Sequence, residues 1–165
     1  MAIKTVIFDF GNVVAFFDHS RAVARLAQYT ELPPVELALK LYGSQIEDSY
    51  ERGAIDTAEY VREALLNARL SCTEEQFLGA FGAIFWRNFE VCDLVPLLKP
   101  EYRLVLASNT TRAHFDAYTR QFADVLVHFD HLGTSFDARA RKPEPAFFEH
   151  VQASAFAEPH ECVFV

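Results

Sequence analysis

The sequence has no C-x-x-C pair, no basic segment ahead of its first apolar stretch and no apolar run of bilayer length, and each absence removes a class of protein. Cys72, Cys92 and Cys162 are an odd number of cysteines at wide spacing, so neither a zinc cluster nor dithiol redox chemistry is expected, and a reducing cytoplasm is the natural setting. The most apolar early stretch, Thr5 to Phe17, is broken by Asp9 and Asn12 and is too short to span a bilayer, which argues against a signal peptide or a transmembrane helix. Glycine and proline are scarce, six and seven in 165 residues, and nothing repeats, so disorder, collagen-like sequence and low-complexity linkers are not expected. Positive charge is in the minority: fifteen Lys and Arg against 23 Asp and Glu leave a formal charge of −8, and the basic residues are scattered. Nucleic acid is therefore not an expected partner, although a small anion can still be held where a few cations and backbone N–H groups converge.

What the chain does have is apolar mass. At 51% hydrophobic residues, with sixteen Phe, its 165 residues suffice for one core, or one core carrying a small insertion. Thr5-Val6-Ile7-Phe8 reads as a buried strand that opens at Asp9-Phe10-Gly11-Asn12 into a turn. From about Ser20 to Phe89 the pattern becomes helical. Ser20 is placed to cap Arg21 to Tyr29, Pro33-Pro34 precedes a helix at Val35 to Leu41, and Asp56/Glu59 and Thr73/Gln76 have capping-box spacing before two further helices, the second carrying Phe77, Phe81, Ile84 and Phe85. Strand character returns at Tyr102 to Ala107, again ending in polar residues, Ser108-Asn109-Thr110-Thr111. Val125 to Phe129 reads as a third strand, Arg141 to Pro145 as a loop entering a helix through Phe147, Phe148 and Val151, and Glu161 to Val165 as a fourth strand. Strands alternating with helices predict a parallel sheet, whose ligands bind at the carboxyl ends of the strands. Asp9, Ser108-Asn109 and the Lys142 loop should meet there.

Phe8-Asp9-Phe10-Gly11-Asn12-Val13, Ser108-Asn109-Thr110 and Arg141-Lys142-Pro143-Glu144 resemble three of the four signature motifs of the haloacid dehalogenase (HAD) superfamily, in the right order and at matching intervals. The resemblance covers nearly the whole chain. It looks closest to the branch of sugar-phosphate phosphatases typified by α-D-glucose-1-phosphate phosphatase, which Glu51-Arg52-Gly53-Ala54-Ile55 supports. It implies an α/β fold: a Rossmann-like parallel core from residues 1–15 and 90–165, with an all-helical cap, residues 16–89, inserted after the first strand. It further implies a Mg²⁺-dependent phosphatase for a small phosphorylated metabolite. Asp9 would be the nucleophile and a metal ligand, the Gly11 carbonyl a second ligand, Ser108 a phosphate holder and Lys142 the neutralising cation.

Two departures from the pattern shape the expectation. Gly11 stands where most phosphatases of the superfamily carry a second Asp as general acid and base, and Gly cannot move a proton. The acidic pair expected after the fourth strand is absent from a sequence that ends at Val165, so the C-terminal part of the core is expected to be missing, and weak metal binding and feeble catalysis with it. Asn12 and Asn109 are supporting substrate-binding candidates whose alternatives are turn shaping and helix capping, and capping is also an alternative for Ser108. Asp18 and Arg21 read as helix-start residues, His128 and His131 as structural, and the Phe77 to Phe89 aromatics as insertion packing. Two other readings stay open: a non-catalytic binding protein on the same fold, and a 2-haloacid dehalogenase. An exposed sheet edge makes self-association an expectation.

Overall fold

The computed structural model describes residues 2–165. Its elements run β1 (Thr5–Phe8), β2 (Ala15–Phe17), α1 (Ser20–Leu26), α2 (Pro34–Leu41), α3 (Gln45–Glu51), α4 (Thr57–Asn67), α5 (Glu74–Gly82), β3 (Phe85–Arg87), α6 (Phe89–Leu98), β4 (Arg103–Ser108), α7 (Arg112–Gln121), α8 (Ala123–Leu126), β5 (His131–Thr134), α9 (Ser135–Ala138), α10 (Pro145–Ala153) and β6 (Cys162–Phe164). Single 3₁₀ turns occupy Ala27–Tyr29 and Pro159–Glu161.

The α/β expectation holds. Four parallel strands lie in the order β5-β4-β1-β6, with Thr5 opposite Arg103 on one side and Cys162 on the other. β1 is buried along its whole length because both faces are covered, which is why it reads as an unbroken apolar run rather than an alternating one. Val6, Phe8, Leu104 and Leu106 pack on one face with Cys92, Val95, Tyr118 and Phe122 from α6, α7 and the residue after it. Ile7, Val105 and Ala107 pack on the other with Phe147 and Val151 of α10.

Residues 18–84, between β2 and β3, carry α1 to α5 around a separate core of Leu26, Leu37, Leu41, Tyr50, Tyr60, Phe77 and Phe81. The helix starts read from sequence occur at α4, where Asp56 accepts from the Glu59 N–H at 2.8 Å, and at α5, where Thr73 and Gln76 form a reciprocal capping box. At α1 the expected cap is displaced. Ser20 is already helical, and Asp18 accepts its N–H at 2.8 Å and its hydroxyl at 2.7 Å.

Three further expectations need correction. The segment is not helical throughout: α5 stops at Gly82, and Phe85–Arg87 pairs antiparallel with Ala15–Phe17 to form a ribbon at its base. The third strand is not Val125 to Phe129. Val125 and Leu126 bury themselves as the short helix α8, and the strand follows at His131–Thr134, a short apolar run being unable to declare its own period. Helices α3 and α6 were not read from the sequence, α6 because Pro96 sits inside it and α3 because five of its seven residues are polar or charged and leave no clear apolar stripe.

Candidate active site

Asp9 leaves the carboxyl end of β1 with its N–H donating to the Val165 carbonyl at 2.9 Å. One carboxylate oxygen accepts the Phe10 N–H at 2.7 Å and the other lies 2.6 Å from the Lys142 ammonium. That ammonium also donates to the Ala107 carbonyl of β4 at 2.9 Å. The Lys142 side chain is only 16% exposed, so these two oxygens are what make its burial tolerable. Asn109 fixes the loop from both sides: its side-chain oxygen accepts the Lys142 N–H at 2.8 Å and its amide donates to the Lys142 carbonyl at 3.2 Å.

Neither Ser108 nor Asn109 is a helix cap. Thr111 caps α7, accepting the His114 N–H. The buried Ser108 hydroxyl has only a long 3.5 Å contact to the Asn109 carbonyl, which leaves it free to donate to a ligand. Asn12 is exposed, in the left-handed conformation at φ 61°, with its N–H donating to the Ala15 carbonyl at 2.8 Å; turn shaping accounts for it. At Gly11 a Cβ would stand 2.8 Å from the Phe17 ring, so a side chain fits only if the ring moves. The structure thus brings together Asp9, Lys142, Ser108 and Asn109, beside the Gly11 carbonyl, and leaves Asn12 outside.

A cavity of about 240 Å³ lies against this group. Its core wall is Phe10, Gly11, Ser108, Asn109, Thr110 and Thr111; its opposite wall is His19, Glu47, Glu51, Ile84 and Phe85, with Arg141, His114 and Tyr118 between. Asp9 and Lys142 do not line it, although the residues following Asp9 and preceding Lys142 do.

Glu47 and Glu51 come from α3, four residues apart on one face, and sequence reasoning passed over both. The available signal was the segment Glu51 to Gly53, noted for its resemblance but not for its chemistry. In the structure α3 is bolted to the core beside Lys142. Arg141 reaches Asp48 and Glu51, each at 2.9 Å, and Arg52 forks onto Glu144 at 2.9 and 2.7 Å. The Tyr50 hydroxyl accepts the Ala113 N–H at 2.8 Å. Gly53, at φ 64°, comes so near the Phe136 carbonyl that a Cβ would stand 2.4 Å from its oxygen, so only glycine permits the contact.

Burial raises the affinity of both glutamates for a proton, against the lowering influence of Arg141. It drives the His114 pKa down to about 3; the His114 Nε2, 3.2 Å from the Phe81 carbonyl, carries the hydrogen of a neutral ring. The Tyr118 hydroxyl is fully buried and raised in pKa by that burial. It makes no hydrogen bond of good geometry, although the Ser108 and Thr110 hydroxyls lie beside it. Among the described residues no group of three or more His, Cys, Asp or Glu is placed to hold a metal ion, and no helix is long and apolar enough to cross a membrane. The role of Asp18 at the start of α1 and the stacking of Arg21 over Trp86 at 5.2 Å agree with structural readings of both.

Comparison with known proteins adds three findings. A family profile described as haloacid dehalogenase-like hydrolase matches residues 3–165. A curated relative, D-ribitol-5-phosphate phosphatase of Bacteroides thetaiotaomicron, is 24% identical over 99% of this chain and 82% of its own length. The fold recurs in a HAD family enzyme of the same organism solved with magnesium and inorganic phosphate (TM-score 0.84, 21% identity, 99% of this chain and 84% of that one). It recurs less closely in L-2-haloacid dehalogenase of Xanthobacter autotrophicus (TM-score 0.67, 17% identity, 98% and 69%).

Proposed function

The chain belongs to the haloacid dehalogenase-like hydrolases, and from that premise we propose that it hydrolyses phosphate monoesters of small polyhydroxylated metabolites by way of a phosphoaspartate on Asp9. The observation that carries the reading is the Asp9–Lys142 pair, held at 2.6 Å where β1 and β4 end, with the unengaged Ser108 hydroxyl at the end of β4. A carboxylate approaching a phosphate ester meets another anion, so attack requires cations and fixed donors around the equatorial oxygens. Lys142 supplies charge, Ser108 and nearby backbone N–H groups supply donors, and Asn109 keeps Lys142 in place.

Magnesium accompanies the Bacteroides enzyme of similar fold, and here the Asp9 carboxylate and the Gly11 carbonyl are hard oxygen donors of the kind it takes. When bound it would add positive charge at the transferring phosphoryl group. One carboxylate is a sparse anchor, and phosphate oxygens and waters would complete the shell, so Mg²⁺ should bind more tightly with phosphate present than alone.

The sugar-alcohol phosphate in the curated relative's name, and the mixed aromatic and polar wall opposite Ser108, favour a polyol or sugar phosphate over glucose 1-phosphate in particular. In this reading residues 16–89 act as a cap, closing on the core of 1–15 and 90–165 to exclude water from the first half-reaction. Three free cysteines, Cys72, Cys92 and Cys162, favour a reducing cytoplasm as the protein's setting. Exposed Val163 and Phe164 on the outer strand β6 support association of copies through that edge, which light scattering would reveal as a mass above the monomer's.

The test is phosphate release from ribitol 5-phosphate and a panel of sugar phosphates, with and without Mg²⁺, by the protein and by Asp9→Asn. Turnover that needs both Mg²⁺ and Asp9 is expected. Equal turnover by Asp9→Asn would remove the proposal, and chloride release from 2-chloropropionate instead would move the chain to the dehalogenase reading.

A further inference from the structure

Phosphoryl transfer from an alkyl ester needs a proton for the departing oxygen, and on the core side the acid beside Asp9, the Lys142 ammonium, is committed to the Asp9 carboxylate and the Ala107 carbonyl. Gly11 has no side chain, and the Phe17 ring, 2.8 Å from where its Cβ would start, occupies the space of one. Resting on the phosphatase reading, we propose that Glu47, facing the cavity from α3, protonates the leaving alcohol and deprotonates the attacking water, with Glu51 and Arg141 as its positioning pair.

The other titratable groups lining the cavity are excluded by their chemistry. His114 is a neutral ring with its hydrogen committed to the Phe81 carbonyl. His19, stacked on Tyr42 at 3.9 Å, is biased by burial toward the neutral form and so holds no spare proton. Tyr118 keeps its proton, and Arg141 does not give one up. Glu51 is compensated by Arg141 at 2.9 Å. Glu47 has no cation of its own. Burial and the neighbouring Asp48 favour its protonated form, against the Gly43 N–H that one oxygen accepts at 3.0 Å and the more distant Arg141; Glu51, Tyr42 and Tyr60 also face it. The Tyr118 hydroxyl, fully buried in the wall with the Ser108 and Thr110 hydroxyls beside it, adds to the polar lining that the cavity offers a ligand.

In the first step an Asp9 oxygen bonds to phosphorus as the bond from phosphorus to the ester oxygen breaks. The electron pair goes to that oxygen, which takes the Glu47 proton and leaves as the alcohol. In the second, a water oxygen bonds to phosphorus, its proton passes to the Glu47 carboxylate, and the Asp9 oxygen departs. Phosphate leaves and Glu47 is an acid again. No oxidant or further reactant is needed.

The discriminating experiment compares ribitol 5-phosphate with p-nitrophenyl phosphate, whose leaving group needs no proton, in the protein and in Glu47→Gln, Glu51→Gln and Asp9→Asn. Glu47→Gln should lose about 10²-fold or more on the alkyl ester. On the aryl ester it should release nitrophenolate in an initial burst equal to the enzyme present, then turn over slowly as the phosphoenzyme waits for a base. Glu51→Gln should shift the pH profile without a burst. If Glu47→Gln hydrolyses both esters at the original ratio and without a burst, the assignment is wrong while the phosphatase reading stands. If Asp9→Asn matches the parent, the phosphatase reading itself falls. If the parent releases phosphate from neither ester, the phosphatase reading falls and this assignment with it.

Discussion

The two walls of the cavity are built by different physics. The core wall hangs from strand ends, the Phe10-Gly11 turn that follows Asp9 after β1 and Ser108 closing β4, fixed by a sheet buried on both faces and by backbone hydrogen bonds. The α3 wall is a short helix whose hold on the core is largely side-chain ion pairing, Arg141 with Asp48 and Glu51 and Arg52 with Glu144, at groups mostly between a third and a half exposed. Exposed pairs of this kind are weak and screened by salt, whereas buried sheet contacts are neither. One wall can therefore loosen while the other stays, which is what a site that must admit substrate and then exclude water requires.

The strongest way to separate the two regions is to damage one core. Phe81→Ala, at a fully buried position of the helical segment, should cost about 3–5 kcal/mol. Hydrogen exchange should then show α1, α4 and α5 losing protection before β1 and β4; simultaneous loss throughout would make the chain one cooperative unit. Lys142→Ala strikes the core side of the site, leaving Asp9 without its 2.6 Å partner, and should lower kcat/KM for phosphate esters by about 10²-fold with little change in α3.

A smaller effect concerns acid. Hydrogen bonds from Arg52 and Arg141 hold the Asp48 carboxyl below its ordinary range, and Arg52 does the same for Glu144. A carboxyl lowered in the folded state contributes stability above its unfolded pKa and loses it as pH falls through the folded one, so the clamp should weaken only below about pH 4. Glu47 and Glu51, raised by burial, act in the opposite sense: their ionised forms penalise the folded state above the ordinary carboxylate value, and the penalty lifts as pH falls through the raised value. Tm should accordingly rise slightly from neutral to mildly acid pH before it drops, and the double variant Glu47→Gln/Glu51→Gln should lose the rise. A steady fall from neutrality in both proteins would contradict this. The least effect is expected of Arg52→Ala, a KM increase of about twofold at low salt that fades at high salt. An undiminished effect at high salt would mean that Arg52 acts through packing.

The same contrast explains what could be read from the sequence. The strand ends announce themselves because Asp9 and Ser108 each directly follow an apolar run, and strand chemistry is local: Thr5 to Phe8 predicts the place of Asp9, and Tyr102 to Ala107 that of Ser108. The partnership of Asn109 with Lys142 was not visible, since hydrogen bonds across 33 positions leave no local trace. The α3 wall was missed for a related reason. Gln45 to Glu51 is too polar to show a helical stripe, and its meaning lies in Arg141 and Glu144, far along the chain. Val125 to Phe129 misled because an apolar pentapeptide suits a helical turn as well as a strand, and only packing against the sheet decides.

The central claim, that Asp9 carries the phosphoryl group, is tested most directly by acid-quenching the protein during turnover of a phosphorus-labelled monoester and locating the label by peptide mass spectrometry. A phosphoryl group on the peptide containing Asp9, absent from Asp9→Asn and more abundant in Glu47→Gln with the aryl ester, is the predicted result. Steady phosphate release with no label on that peptide would show that water attacks the ester directly and that Asp9 is not the nucleophile.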